Sequence, residues 1–435
     1  MRLNLIILIL LSFVVVQFSF GQSTGTDSLT VDQAVKLVLE RYPSLDQARA
    51  AVSTAEARVS ESESSLSPIA DADLSYTRLD PVPSLEFPGL GNFMLYPNNN
   101  YDIHAGVRDN IYDFGKRDAQ IDVAKSNVQV ATDNIDVVKS KLAYQTIQSF
   151  YAILFLQRSA VVQQQQIDAL NEHLQITQKK IQAGTAIDFD LLTTQVRIAT
   201  AKNVLIGIQN KQRHQEVMLR QLLAYPAGTA LSLKGEFSLT SVGINVDSLT
   251  AVALEKRIEL KSSKDEEQTA QLQKHLASLG DMPSVNLGVI YGVKNGYIPN
   301  LDAWHGNWIG AAEIKVPIFN GNQTKIHEQE ADAALQGLQA HTRDLRQTIS
   351  AEVSHAVEDI RSILEQLTNS ELQVQQAEAA VANARIRYDN GVLTNIELLD
   401  AETDLSQAQL LNLESLYKFV INRYTLDKAI GTLRY

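Results

Sequence analysis

The side chains in this sequence that could do chemistry are carboxylates, and they gather at two matching places. KKIQAGTAIDFDLLTTQVRI runs from Lys179 to Ile198, and RYDNGVLTNIELLDAETDL from Arg387 to Leu405. Aligning Gly184 with Gly391 sets Asp190 on Glu397, Leu191-Leu192 on Leu398-Leu399 and Gln195 on Glu402, an offset of 207 residues. Carboxylates can ligate metal or transfer protons, but both need partners at fixed spacing. None stands nearby. The 8 His are scattered without an H-E-x-x-H pattern, and no G-x-S-x-G motif or P-loop is present. With 0 Cys, thiol catalysis and cysteine-bound metal are excluded. No catalytic, metal or cofactor site is expected, and the protein is not expected to be an enzyme.

The elements that would carry these carboxylates are long helices. Lys116 to Ala183 contains neither Gly nor Pro. Its apolar residues Ile121, Ala124, Val128, Ala131, Ile135, Val138 and Leu142 alternate in steps of three and four, and the spacing resumes at Ile167, Leu170, Leu174 and Ile181. That is a coiled-coil period, and a helix of this length is roughly 100 Å long. Gly184 supplies a left-handed stop, and Asp188 is a candidate cap for a returning helix that ends near Ala224. Asn322 to Asn390 repeats the outgoing helix, Gly391 repeats the stop, and Thr394 with Glu397 forms a T-x-x-E capping box. The carboxylates therefore sit at the tips of two antiparallel helical hairpins. Each returning helix is too short for its partner, and Ser44–Leu66 and Glu259–Leu279 supply the missing length if stacked end to end with them. The chain reads as an internal duplication.

Between each short helix and its long one the period changes to two. Segments at about 68–79 and 101–113, and again at about 284–293 and 307–319, alternate apolar with polar or small residues, as in Tyr101, Ile103, Ala105 and Val107. Ten-residue strands of this kind suit a transmembrane β-barrel. The domain reading is a signal peptide at 1–21, a first repeat at 22–232 with its hairpin at 116–224, a linker at 233–250, and a second repeat at 251–435 with its hairpin at 322–430. The leader is one Arg followed by an apolar run from Leu5 to Val16, broken only by Ser12, so export is expected. A net charge of −12 leaves no basic stripe for nucleic acid. Four strands cannot close a barrel, and open edges cannot face lipid, so the chain is expected to associate with copies of itself.

Taken together, the two tip motifs, the junctions IYDFGKRDAQIDVA (from Ile111) and IFNGNQTKIHEQEA (from Ile318), and the stretch SLTVDQAVKLVLERYPSL (from Ser28) resemble the TolC-type outer-membrane efflux proteins over the whole mature chain. The resemblance implies a mainly α fold with a β-barrel part: a homotrimer whose chains each give four strands to a twelve-stranded barrel, continuous with a periplasmic α-barrel. It implies an outer-membrane location in a Gram-negative bacterium, contact with outer-membrane lipid, and a large periplasmic portion. The implied partners are a periplasmic adaptor and an inner-membrane pump of the RND, ABC or MFS type. The function so implied is a conduit for tripartite efflux or type I secretion. At the tip it implies a gate in which Tyr388 and Asp190 hydrogen-bond, with Leu393 where well-studied exporters carry Arg. It also implies an acidic pore ring of Glu397 and Asp400, and an adaptor contact at Gly184, Thr185, Ala186, Gly391 and Val392. Without Cys no thioether-linked lipid is expected. The competing reading is a soluble exported coiled-coil scaffold or adaptor with a small β domain, which would need polar residues on both strand faces.

Overall fold

The computed structural model describes residues 28–89, 91–239 and 243–434; the expected signal peptide lies outside the described residues. In chain order the elements are α1 (Val31–Arg41), α2 (Pro43–Ser64), β1 (Ile69–Arg78), β2 (Ser84–Phe87), β3 (Gly91–Met94), β4 (Asn99–Tyr112), α3 (Lys116–Gln182) and α4 (Asp188–Leu222). The second half follows with α5 (Val246–Lys256), α6 (Ile258–Ser278), β5 (Ser284–Lys294), β6 (His305–Lys315), α7 (Gln323–Asp389) and α8 (Asn395–Ala429). The structure is mainly helical with a small sheet, as the sequence pattern leads one to expect.

Duplication is visible in the backbone itself. The helices α3 and α4 recur as α7 and α8 with every boundary displaced by 207 residues, Lys116 to Gln323 and Leu222 to Ala429. The left-handed backbone positions recur with the same displacement: Phe114 with Gly321, Gly115 with Asn322, Gly184 with Gly391, and Ala224 with Gly431. Before the strands the displacement is 215 instead, Val31 to Val246 and Ile69 to Ser284. The eight-residue difference falls in the loop joining β1 to β4. That loop carries the β2–β3 hairpin, which the short Pro-flanked segments there did not reveal and which the β5–β6 loop lacks. The second repeat's first helix, α5, begins at Val246, inside the segment read as linker.

The helices form four columns. On the strand-proximal half, α2 packs on α3, α3 on α6 and α6 on α7; on the tip-proximal half, α4 packs on α3, α3 on α8 and α8 on α7. Each pair of short helices thus shares one column, α2 with α4 and α6 with α8. At the waist, α1 and residues around Leu223–Phe237 pack on Phe150 and Tyr151 of α3, in one core with Phe419 of α8, and Leu29 bridges Leu233. Because α6 covers a second face of α3, Asp133 is 1% exposed although it lies off the apolar seam. Lys261 of α6 reaches it at 2.7 Å. Burial alone would raise the Asp133 pKa, but hydrogen bonds from Asp265, Lys261 and Gln129 hold it below its ordinary value.

The four long strands form one antiparallel sheet in the order β1-β4-β5-β6, with β1 and β6 at open edges. Register separates two faces. Leu74, Ile103 and Val293 align across one face, as do Ala105, Tyr291 and Trp308; Asp73, His104, Asn286 and Glu313 belong to the other. The apolar face is uncovered, with Leu74 at 78% and Trp308 at 73% exposure. Aromatic rings collect at both of its ends: Tyr76 and Tyr101 at 5.1 Å with Trp304 beyond, and Tyr112 with Phe114 at 4.7 Å. No helix among the described residues is long and apolar enough to cross a membrane.

Gly391 closes the second tip at φ +74°. A Cβ there meets nothing within 4 Å, so the cost of a side chain is backbone strain alone. Left-handed backbone costs about 1–2 kcal/mol for an ordinary residue and less for Asn. Gly391→Ala should therefore lower the midpoint of thermal loss of the helical circular-dichroism signal more than Gly391→Asn, with the wild type highest. Equal midpoints would contradict the assigned backbone.

Candidate functional site at the hairpin tips

Both tips are built by the same local rules. Ala183 and Asn390 end the outgoing helices, Gly184 and Gly391 turn the chain in left-handed geometry, and an extended residue caps the returning helix. At the second tip the cap is the expected box: Glu397 accepts from Thr394 N at 2.8 Å and from its hydroxyl at 2.7 Å. These bonds hold the exposed Glu397 carboxyl below its ordinary pKa. At the first tip Ile187, not Asp188, is the N-cap residue, and Asp190 reaches back to Ile187 N at 3.3 Å. Asp190 and Glu397 therefore do the same capping work 207 residues apart.

The expected gate residues lie close together but make other contacts. In the single chain Tyr388 and Asp190 are not hydrogen-bonded to each other. Tyr388 is 7% exposed. Its ring centroid lies 5.1 Å from that of His173, and Lys180 Nζ stands 3.7 Å over the ring while donating to Tyr388 O at 2.9 Å. Burial raises the phenol's pKa, the hydrogen bond with Thr177 opposes that rise, and the Asp190 charge adds to it. Leu393 packs beside Tyr388, Ala384 and Leu398. Of the expected acidic ring, Glu397 is held by Thr394, while Asp400 pairs with Arg197 of α4 at 2.6 Å. Gly184, Thr185, Gly391 and Val392 are exposed at the apices and Ala186 is half-buried.

A buried polar group that sequence reading did not single out joins the two hairpins. His173 (4% exposed) and Thr177 (0%) on α3 face Asn395 (4%), the first residue of α8. The Asn395 amide nitrogen faces Asp190 O at 3.3 Å and Thr193 Oγ1 at 3.2 Å. A backbone carbonyl only accepts, so the amide oxygen must be the atom that faces His173 Nε2 at 2.6 Å. His173 therefore carries its proton on Nε2. One side chain, Asn395, thus ties α3, α4 and α8 together within a turn of Tyr388. Nearby, Arg385 donates to Glu402 Oε1 at 2.9 and 3.2 Å. The readable trace of this group is Thr177, a polar residue one heptad after Leu170 and fully buried. Polar residues on a coiled-coil seam specify partner and register.

Two segments of the chain, residues 34–225 and 249–432, fit the family model of the outer membrane efflux proteins. The chain belongs to this family. The starts of the two segments differ by 215 residues and their ends by 207, the same two displacements that relate the repeats. Among relatives within the family, outer membrane protein TolC of Escherichia coli is 21% identical over 92% of this chain and 85% of its own length. The Pseudomonas putida solvent efflux pump outer membrane protein SrpC is 24% identical over 60% and 56%. The Campylobacter jejuni CmeC outer membrane channel shares the fold at a TM-score of 0.79 and 16% identity, covering 93% of this chain and 86% of that one. A CusC structure aligns at 0.79 and 16%, over 95% and 96%. CmeC and CusC are named for channels and SrpC for an efflux pump.

The Asn395 link is testable by a double-mutant cycle. Asn395→Ala strands the buried His173 N–H and should cost about 1–3 kcal/mol. Adding His173→Ala should cost much less than its effect alone, because both changes break one hydrogen bond. Additive losses in thermal or denaturant unfolding of the full chain would show that the two residues act separately.

Proposed function

We propose that three copies of this chain assemble into an outer-membrane conduit, through which an inner-membrane pump and a periplasmic adaptor export their substrate. The observation that carries this reading is the sheet: four strands, two unpaired edges, one uncovered apolar face and one polar face. A soluble scaffold would bury or avoid the exposed Leu74, Tyr291 and Trp308; lipid explains them, and the two aromatic belts sit where a bilayer's interfaces would fall. Since the strands alternate in direction and number four, β6 of one copy meets β1 of the next antiparallel. Two copies would already give eight strands, the smallest of the bacterial barrels; the number three rests on the family.

In this assembly the tips form the periplasmic end. Tyr388, held against α3 by Lys180 and His173, with Asp190 and Leu393 beside it, forms the gate. The link across the hairpins is the Asn395 group rather than a direct phenol–carboxylate bond. Gly184, Thr185, Ala186, Gly391 and Val392 meet the adaptor, exposed apices being free to accept a partner. Glu397 and Asp400 line the entrance, and their charges differ in effect. Arg197 offsets Asp400 within the chain, so Glu397 supplies more of the field that draws cations.

The test is single-channel recording on the purified full chain after its mass in mild detergent has been measured. The particle should weigh three chains and conduct. Glu397→Ala should weaken block by di- or trivalent cations about tenfold, and Asp400→Ala should weaken it less. A monomer, a non-conducting particle, or block unchanged by either substitution would contradict the proposal.

A further inference from the structure

Where α3 meets the α7–α8 pair, close above the tips, there is a cavity of about 180 Å³. Glu172, His173 and Ile176 of α3 form one wall, and Arg385, Tyr388 and Glu402 form the other. Glu402 is the unusual member. It is 7% exposed, both Arg385 contacts go to its Oε1, and its Oε2 is buried without a hydrogen-bond partner. A carboxylate oxygen out of water and unpaired is costly, so the site calls for a donor that the described residues do not provide.

The rest of the lining narrows what that donor is. Glu172, Asp389 and Glu402 place three carboxylates around the cavity against one guanidinium, that of Arg385. Lys180 lies outside the lining and already approaches Asp389 at 4.0 Å. Among the described residues no three His, Asp or Glu side chains converge closely enough to hold a bare metal ion. The cation must therefore bring its own hydrogen-bond donors. Beside the carboxylates on the two walls lie Ile176, Leu398 and the rings of Tyr388 and His173, surfaces that favour an alkyl chain over water. The volume is similar to the roughly 150 Å³ cavities that hold benzene.

We infer that this cavity binds a small alkylammonium ion: its N–H groups donate to Glu402 Oε2 and Glu172, and its carbon chain lies against Ile176 and Tyr388. A ligand so placed touches α3 on one side and α8 on the other, so it pins the seam between the two hairpins. The assignment is independent of the trimer and of conduction.

Calorimetric titration of the purified full chain in detergent with n-butylammonium chloride tests it, with sodium chloride and n-butanol as controls. A saturable heat is expected for butylammonium alone. Glu402→Gln should weaken binding by at least about tenfold, the loss of a charge-assisted hydrogen bond. Glu397→Ala combined with Asp400→Ala should leave it unchanged, which separates this cavity from the carboxylates at the tip. If Glu402→Gln does not fold, Glu172→Gln should weaken binding in the same direction. No saturable heat beyond that of sodium chloride, which is the result for a cavity holding water only, overturns the inference. So does equal affinity in the Glu402 or Glu172 variant.

Discussion

Unpaired backbone at the two edges of the sheet is the constraint on which the rest of the molecule depends. Along β1 and β6 a row of N–H and C=O groups has no strand partner among the described residues. In water such an edge invites aggregation; in hydrocarbon each open group costs several kcal/mol. The apolar face that β4 and β5 share with those edges is suited to hydrocarbon. Under the proposed function, the chain is built for a solvent in which it cannot exist alone. The helical columns have the same property on a larger scale. They end in α2 and α4 on one side and α7 on the other, and α4 presents Phe189, Leu192 and Val196 uncovered along that end.

Duplication explains how one chain supplies both halves of this arrangement with little invention. The turn geometry is held at four pairs of left-handed positions even where the residue changes, as with Phe114 for Gly321 and Ala224 for Gly431. What has diverged is the surroundings. Asp188 and Asn395 are equivalent by the repeat, yet Asp188 is exposed and Asn395 is buried against α3. Tyr388 occupies the place of Ile181. The second hairpin's tip has become an internal surface, and the first has kept a free face. Polar chemistry has accumulated on the internal side, at His173, Tyr388, Asn395 and Glu402.

Much of this was legible in the residues. Gly184 and Gly391, the Thr394–Glu397 box and the three-four spacing of Ile121 to Leu142 act locally, and local rules set the hairpins and their ends. The strands announced themselves through the alternation of Tyr101 to Val107. What stayed hidden depends on how distant elements meet. His173 and Asn395 lie 222 residues apart in sequence, and nothing at either position marks the other. Asp133 is buried only because α6 crosses α3 at that level. The capping role of Asp190 hid behind Asp188, since either acid suits a helix start and backbone geometry decides between them. The β2–β3 hairpin is four residues a strand and flanked by prolines, too short for a period to register.

The account stands or falls on the β1 edge meeting the β6 edge of another copy. The chain has no Cys, so introduced thiols report without background. Ser75→Cys on β1 combined in turn with Asn307→Cys, Ile309→Cys or Ala311→Cys on β6 places both thiols on the polar face. Oxidation of the assembled protein should then give, for at least one pair, covalent products that end at three chains. Chains that remain single for every pair, or products that stop at two or run past three, would contradict it.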